Sequence, residues 1–290
     1  MRERDDVNRQ AAVWHCGDYR VVLDTPVIMA IINVTPDSFS GDGVVGSVDA
    51  ALCQAERALI DGASILDIGG ESSRPGALPV SEDEELSRVV PVVEALVRLG
   101  VPVSVDTVKP GVMREAIAAG AAIINDINAL RMDGAIEVVA QSDAGVCLMH
   151  MQGEPRNMQQ APDYADIVGD VESFLVERVS ALEAAGVDRS RITLDPGFGF
   201  GKTLEHNLQL FRGMSLLSVH AYPLLVGVSR KSMLGAVTGR AVGERMPASI
   251  VTAVLAAQRG AAILRVHDVA ATRDALAMWA AIDLNSPGIY

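Results

Sequence analysis

Apolar and polar residues fall in alternating blocks along the chain. Short β-branched runs at 27–34, 64–69, 102–106, 122–126, 145–149, 192–195, 223–228 and 262–266 read as strands. Stretches rich in Ala, Leu and Glu with helical periodicity follow them, near 47–61, 82–99, 109–119, 132–142, 164–185, 203–213, 247–259 and 269–283. The strands are continuous apolar runs, which implies cover on both faces and parallel pairing. Ser81 and Glu84 have the spacing of a capping box before the second helix, and Gly62, Gly100, Gly120 and Gly186 fall where helix C-caps belong. Eight βα units predict a (β/α)8 TIM barrel, a fold of about 250 residues. We take 1–290 as one domain with its core at about 25–285. A doubly wound open sheet is the rival, and the count of eight without a composition break favours the barrel. Ala11 to Asp24 predicts a β-hairpin turning at Gly17-Asp18, suited to cap the barrel bottom.

The strands end in polar groups. Ile31-Ile32 runs into Asn33, and the series continues at Asp67, Asp106, Asn125, Asp195, Lys231 and His267. An unpaired buried amide costs roughly 1–3 kcal/mol, so Asn33 belongs at a strand end facing a pocket. In a barrel these ends converge on one face. The Gly/Ser/Pro-rich segments 35–47 and 70–81 lie on that same face, where they could act as lids.

Composition narrows the function. The chain is 49% apolar but only 4% aromatic, which fits Ala-rich helices packed on Val/Ile strands. With 24 basic against 37 acidic side chains, its formal charge of −13 speaks against nucleic-acid binding. Cys16, Cys53 and Cys147 lack metal-ligand spacing and read as thiols in a reducing compartment. The charged start MRERDDVNRQ is no secretory signal, and the longest uncharged stretch, 213–229, holds His220 and Pro223 and makes a poor membrane span. A soluble cytoplasmic protein, with neither membrane nor nucleic-acid partners, is the expectation.

Asp106, Asn125 and Asp195 offer acceptors, and the amide also donates. Together in a barrel mouth they suit a flat heterocycle with adjacent N–H donors, such as the amino-pyrimidinone edge of a pterin. Helix capping and salt bridging are the alternatives for each taken singly. Arg74, Lys231, Arg265 and His267 supply cations; Arg265 and His267, two apart, share a strand face. They suit phosphate or pyrophosphate, and the alternative is neutralisation of neighbouring acids. Ser232 falls where a helix would start. Asp195-Pro-Gly-Phe-Gly-Phe-Gly-Lys202-Thr203 misses the phosphate-binding P-loop pattern because Pro196 stands at its first glycine. It reads instead as a flexible loop allowing close backbone approach, with Phe200 as an apolar wall. His150 reads as a satisfied strand-end histidine, and Met149 and Met151 as packing residues.

These residues together resemble the dihydropteroate synthase family. The matching segments are Asn33-Val-Thr-Pro-Asp-Ser-Phe39, Asp67-Ile-Gly-Gly-Glu-Ser-Ser-Arg-Pro-Gly76, Ser104-Val-Asp-Thr107, Ile124-Asn-Asp126, Leu194-Asp-Pro-Gly-Phe-Gly-Phe-Gly-Lys202, Gly227-Val-Ser-Arg-Lys-Ser232 and Arg265-Val-His267, in the family's order. The resemblance implies a homodimeric pterin-binding barrel. It implies condensation of 6-hydroxymethyl-7,8-dihydropterin pyrophosphate with 4-aminobenzoate, with Mg²⁺, in folate biosynthesis, and competition by sulfonamides. It assigns Asp106, Asn125, Asp195, Lys231 and Arg265 to the pterin, and Asn33, Arg74, Arg265 and His267 to the pyrophosphate, with Asn33 beside the metal. Ser73, Pro75, Phe200, Lys231 and Ser232 go to 4-aminobenzoate, and catalysis rests on Arg74, Lys231, Arg265 and His267. Two positions depart from the family's usual pattern: Ser40-Gly41-Asp42-Gly43 stands where Ser-Asp-Gly-Gly is commoner, and Ser73 where Thr is. The rival functions are a corrinoid-linked methyltetrahydrofolate methyltransferase, a non-catalytic pterin-binding paralogue and a P-loop nucleotide hydrolase.

Overall fold

A computed structural model describes residues 12–33, 43–72, 79–154, 156–217 and 222–283, leaving out the side chains of 33, 43–47 and 283. Two short antiparallel strands come first, β1 (Val13–Cys16) and β2 (Tyr19–Val22), joined at Gly17-Asp18. Eight parallel strands then close a barrel: β3 (Val27–Asn33), β4 (Ile65–Gly69), β5 (Val103–Asp106), β6 (Ile123–Asp126), β7 (Gly145–Met149), β8 (Ile192–Asp195), β9 (Leu224–Val226) and β10 (Ala261–Val266), which returns to pair with β3. Nine helices lie among the described residues: α1 (Gly43–Ile60), α2 (Glu82–Leu96), α3 (Pro110–Ala118), α4 (Ala135–Ala140), α5 (Ile167–Ala184), α6 (Leu204–Leu217), α7 (Ser232–Thr238), α8 (Met246–Gln258) and α9 (Val269–Asp283).

The barrel expectation holds, and the open sheet is excluded because β10 and β3 are hydrogen-bonded neighbours. Element ends fall within a few residues of the sequence pattern. Sequence periodicity did not resolve α7, which is only seven residues long. At α2 the Ser81 hydroxyl caps the Glu84 amide at 3.2 Å, while the Glu84 carboxylate pairs with Arg88. That is one half of the expected capping box.

Two apolar cores follow from the period-two alternation of the strands. Outward residues such as Ile28, Leu66, Val105, Ile124, Leu148 and Leu264 pack against the helices. Inward residues Met29, Ile65, Ile123, Cys147, Leu225 and Ile263 fill the lower barrel together with Trp14 and Cys16 of the hairpin. Trp14 is fully buried and its indole Nε1 donates to the Arg191 carbonyl at 2.8 Å, next to the start of β8. The Gly17 amide donates to Asp143 O, just before β7. The hairpin therefore plugs the N-terminal end of the barrel.

The same alternation changes character higher up. Two residues beyond the apolar layer, the inward positions become Asp67, Asn125, Gly227 and Arg265, with Asp106 and Asp195 level with them on β5 and β8. A dry floor thus carries a polar mouth.

Candidate active site

Arg265 on β10 reaches across the barrel. Its Nε donates to Asp67 Oδ2 at 2.6 Å and its Nη2 to Asp106 Oδ2 at 3.0 Å. Asp67, fully buried, also accepts from the Ser104 hydroxyl at 2.6 Å and lies 3.5 Å from Asn125 Nδ2. A largely enclosed guanidinium between two carboxylates is tolerable only because each charge finds a partner. Burial opposes the Arg265 charge, but Asp67 and Asp106 outweigh it and hold the guanidinium above its ordinary pKa. Burial raises Asp106 to about 7, partly offset by Arg265 and reinforced by Asp67 and other nearby carboxylates.

A second cluster forms around the segment after β8. Asp195 accepts the Gly197 amide at 2.7 Å, and burial raises its carboxyl against the pull of Lys231. Lys231 donates to the Phe198 carbonyl, and its ammonium sits 4.5 Å from the centre of the Phe200 ring. That distance is within cation–π range. Burial lowers the Lys231 pKa to about 8, with Asp195 opposing the shift.

The glycine segment is not the slack loop expected from its composition. Gly197, Gly199 and Gly201 all adopt left-handed φ, and a Cβ at Gly197 would collide with the His150 carbonyl. The Gly199 amide is held by Asn207 Oδ1 at 2.7 Å, and its carbonyl by Gln159 Nε2 at 2.8 Å. Lys202 is buried beneath and donates to Gly197 O, Phe200 O and His150 Nδ1 at 2.9, 3.0 and 2.9 Å. All three ammonium protons are therefore committed to the protein. With its ammonium engaged by the loop it would have to present to a phosphate, Lys202 does not support the P-loop reading. His150 is the satisfied strand-end histidine expected, edge-on to Phe174, and Met149 and Met151 pack with Phe200.

Lys231 does not end a strand. β9 stops at Val226, and Lys231 is the N-cap of α7, folding its side chain back over the mouth. Ser232 opens that helix, as expected, and is exposed. His267 follows β10 rather than belonging to it, and its Nδ1 lies 2.9 Å from the Ser229 hydroxyl. The neutralisation reading is realised for Arg265; Asp195 caps no helix, because the Gly197 amide it accepts lies in the turn after β8 and α6 begins only at Leu204. Neither contact displaces these groups from the mouth. Asn33 ends β3 beside Gly69, with only its backbone described. Ser73, Arg74, Pro75 and Asp42 lie outside the described residues.

Sequence reasoning gave Asp67 no role, although it is the hub of the first cluster. It is not a strand terminus but a mid-strand residue whose register neighbour is Ser104. An Asp centred in an otherwise apolar β run, two residues above an inward Ile, was the signal that could have found it.

The family described as pterin binding enzyme matches residues 29–267. A dihydropteroate synthase of Neisseria meningitidis serogroup C is 51% identical over 278 residues, covering 94% of this chain and 98% of that protein. The chain belongs to the pterin-binding enzymes, in their dihydropteroate synthase family. Two solved members of this family superpose on it closely. The Xanthomonas albilineans enzyme with 4-aminobenzoic acid has a TM-score of 0.89 at 49% identity, covering 94% of this chain and 98% of that one. The Burkholderia cenocepacia enzyme complexed with 7,8-dihydropteroate has a TM-score of 0.88 at 50% identity, covering 95% and 98%. The pterin-binding enzyme match spans both clusters and both loop segments.

Proposed function

We propose that the chain condenses 6-hydroxymethyl-7,8-dihydropterin pyrophosphate with 4-aminobenzoate to give 7,8-dihydropteroate and pyrophosphate, as a dihydropteroate synthase. The carrying observation is the mouth itself. Carboxylates at Asp106 and Asp195 and the Asn125 amide share the mouth with Arg265 and Lys231, in two hydrogen-bonded clusters near enough to feel each other's charge. Acceptors of that kind match the N–H edge of a pterin, and the cations match its pyrophosphate and the developing negative charge.

In this reading Asp106, Asn125 and Asp195 hold the pterin ring edge, with Lys231 donating to it and Arg265 against its face. Arg265 reaches on to the pyrophosphate, joined by His267, Asn33 and Arg74. The bond between the exocyclic carbon and pyrophosphate breaks, and its electron pair leaves with the pyrophosphate. The electron-rich ring delocalises the positive charge left behind. The neutral amine of 4-aminobenzoate, bounded by Phe200, Lys231, Ser232, Ser73 and Pro75, attacks that carbon and then loses a proton. Its low basicity removes the need for a strong general base. Exclusion of water by residues 35–47 and 70–81 prevents capture of the cation.

Among the described residues no group of three His, Cys, Asp or Glu side chains is placed to hold a metal. Mg²⁺ does not require such a group, because it takes oxygen ligands, keeps several waters and binds substrate phosphates. Asn33, brought to the mouth beside Gly69, is the residue that would hold it. When bound, Mg²⁺ supplies positive charge against the leaving pyrophosphate.

A homodimer in the cytoplasm completes the reading. No helix among the described residues is long and apolar enough to cross a membrane, and all three cysteines are free thiols. The outward faces of α8 and α9 carry exposed Val251, Leu255, Met278 and Ile282.

Pyrophosphate release from the pterin substrate with Mg²⁺, measured with and without 4-aminobenzoate, tests the function. Release that depends on 4-aminobenzoate and yields dihydropteroate is expected, with sulfonamides competing against 4-aminobenzoate. Pterin binding by calorimetry without any turnover would instead identify a non-catalytic paralogue, the reading that Gly41-Asp42 favours.

A further inference from the structure

Arg230 stands immediately before Lys231 and is in the left-handed region, φ +57°, although it carries a Cβ. Such conformations are disfavoured for L-residues and persist where surrounding contacts fix them. Here the amide, the carbonyl and the guanidinium all have partners. Its amide donates to the Ser249 hydroxyl at 2.9 Å, and its carbonyl accepts from Arg245 Nη1 at 3.1 Å. Its guanidinium grips Asp268 through Nε at 3.1 Å and Nη2 at 2.6 Å. Asp268 is the residue after His267, and its carbonyl takes both the amide and the hydroxyl of Thr272 in the first turn of α9. On the other side of the strained residue, Ser229 Oγ accepts the His267 amide at 3.2 Å and lies 2.9 Å from His267 Nδ1. Two adjacent residues of the β9–α7 turn thus bind two adjacent residues of the β10–α9 turn. The forked pair lies partly exposed, outside the enclosure formed by Asp106, Asp195 and Lys231.

We infer that Arg230 and Asp268 form a clasp that positions Lys231 and His267 relative to each other, so that one ion pair outside the mouth sets the spacing between the aminobenzoate end and the pyrophosphate end of the site. The inference rests on the proposed synthase activity. Arg230 and Asp268 are positioning residues and touch no reacting atom. The left-handed turn reverses the chain after Ser229, which lets the Lys231 side chain fold back over Phe200. The bidentate pair holds that turn against the β10 end. Arginine suits this task because its planar fork fixes direction as well as distance.

The test is a double-mutant cycle of Arg230→Gln and Asp268→Asn, with Arg230→Lys and Arg230→Gly beside it. The readouts are kcat, KM for each substrate and the thermal midpoint. Each single change is expected to lower kcat/KM roughly tenfold, and the double to be no worse than either single. Each single change should also raise KM for both substrates. If the two residues acted only locally, Arg230→Gln would disturb 4-aminobenzoate alone and Asp268→Asn the pterin pyrophosphate alone. Arg230→Lys should recover part of the loss. Arg230→Gly, which relieves the backbone but removes the pair, should lose as much as Arg230→Gln. Wild-type kinetics in either single variant, additive losses, or losses that simply track a fall in thermal midpoint would overturn the clasp. Failure of the wild-type chain to turn over would instead strike the synthase reading on which the clasp rests.

Discussion

Asp67 accepts from Ser104, Asn125 and Arg265, and this makes it the most consequential residue that the strand-end pattern left without a role. Sequence patterning gave the floor and the mouth, because inward positions alternate strictly. It could not give the partners, since the Asp67–Arg265 contact joins residues 198 apart. Asp67→Asn keeps the shape and the Ser104 contact but removes the charge that holds Arg265 when the pterin occupies Asp106. We expect kcat/KM for the pterin pyrophosphate to fall by roughly 10–100-fold, with KM for 4-aminobenzoate nearly unchanged. Steady-state kinetics with each substrate varied would show this, and an unaltered pterin KM and kcat would refute the role. His150 gives a second residue-scale expectation. Burial first, and then Lys202, lower its pKa to about 2 from an ordinary 6.5. Between those values the unfolded chain binds a proton that the native chain refuses, so stability contributed by neutral His150 is intact above about 6.5 and is lost as pH falls below it. The loss reaches about 2 kcal/mol by pH 5. Urea titrations of wild type and His150→Asn at pH 7 and pH 5 should differ by that amount, the variant losing less on acidification. Equal losses would show that the fold does not hold the His150 ring neutral.

At the scale of elements, the strands and most helices were legible because periodicity and glycine punctuation are local signals. The segment after β8 was legible only in part. Its glycines announced close backbone approach, but its rigidity comes from Asn207, Gln159 and Lys202, whose contacts cross up to 52 residues of sequence. The short helix α7 was legible only at its start, Ser232, because seven residues give too little periodicity to read. The N-terminal hairpin is a clearer case of an element whose role follows from one side chain. Trp14 fills the barrel floor and bonds Arg191 O. Trp14→Ala should cost about 3–5 kcal/mol, a fall in melting temperature of roughly 10 °C. Because the floor is a full layer below Asp67 and Asp106, kcat at 15 °C should stay close to wild type. A thermal melt paired with low-temperature kinetics separates the two effects. A large loss of kcat with little loss of stability would mean that the hairpin acts on the mouth rather than the floor.

Across the whole molecule, the apolar surface is unevenly placed. Single exposed apolar residues need no explanation, but a repeated pattern does. On α8, Val251 and Leu255 are one turn apart and 58% and 36% exposed; on the neighbouring α9, Met278 and Ile282 repeat the spacing at 60% and 71%. Val251 and Leu255 lie opposite the face of α8 that covers the barrel, where Ala253, Ala256 and Ala257 turn inward, and Met278 and Ile282 flank the stripe of α9 that packs on the core through Leu276 and Trp279. The four side chains themselves bring no charge to such a contact. An isologous contact would bury both faces against their own copies, as closed two-fold pairs do. Val251→Lys combined with Met278→Lys places like charges on a surface that would meet itself. Light scattering after size exclusion should find the wild type near twice the 30.6 kDa chain mass and the double variant near that mass. The substitutions lie outside the mouth, so any fall in kcat on dissociation would measure how far the pair supports the site. A monomeric wild type at micromolar concentration would leave these helices as ordinary surface and remove the homodimer from the reading.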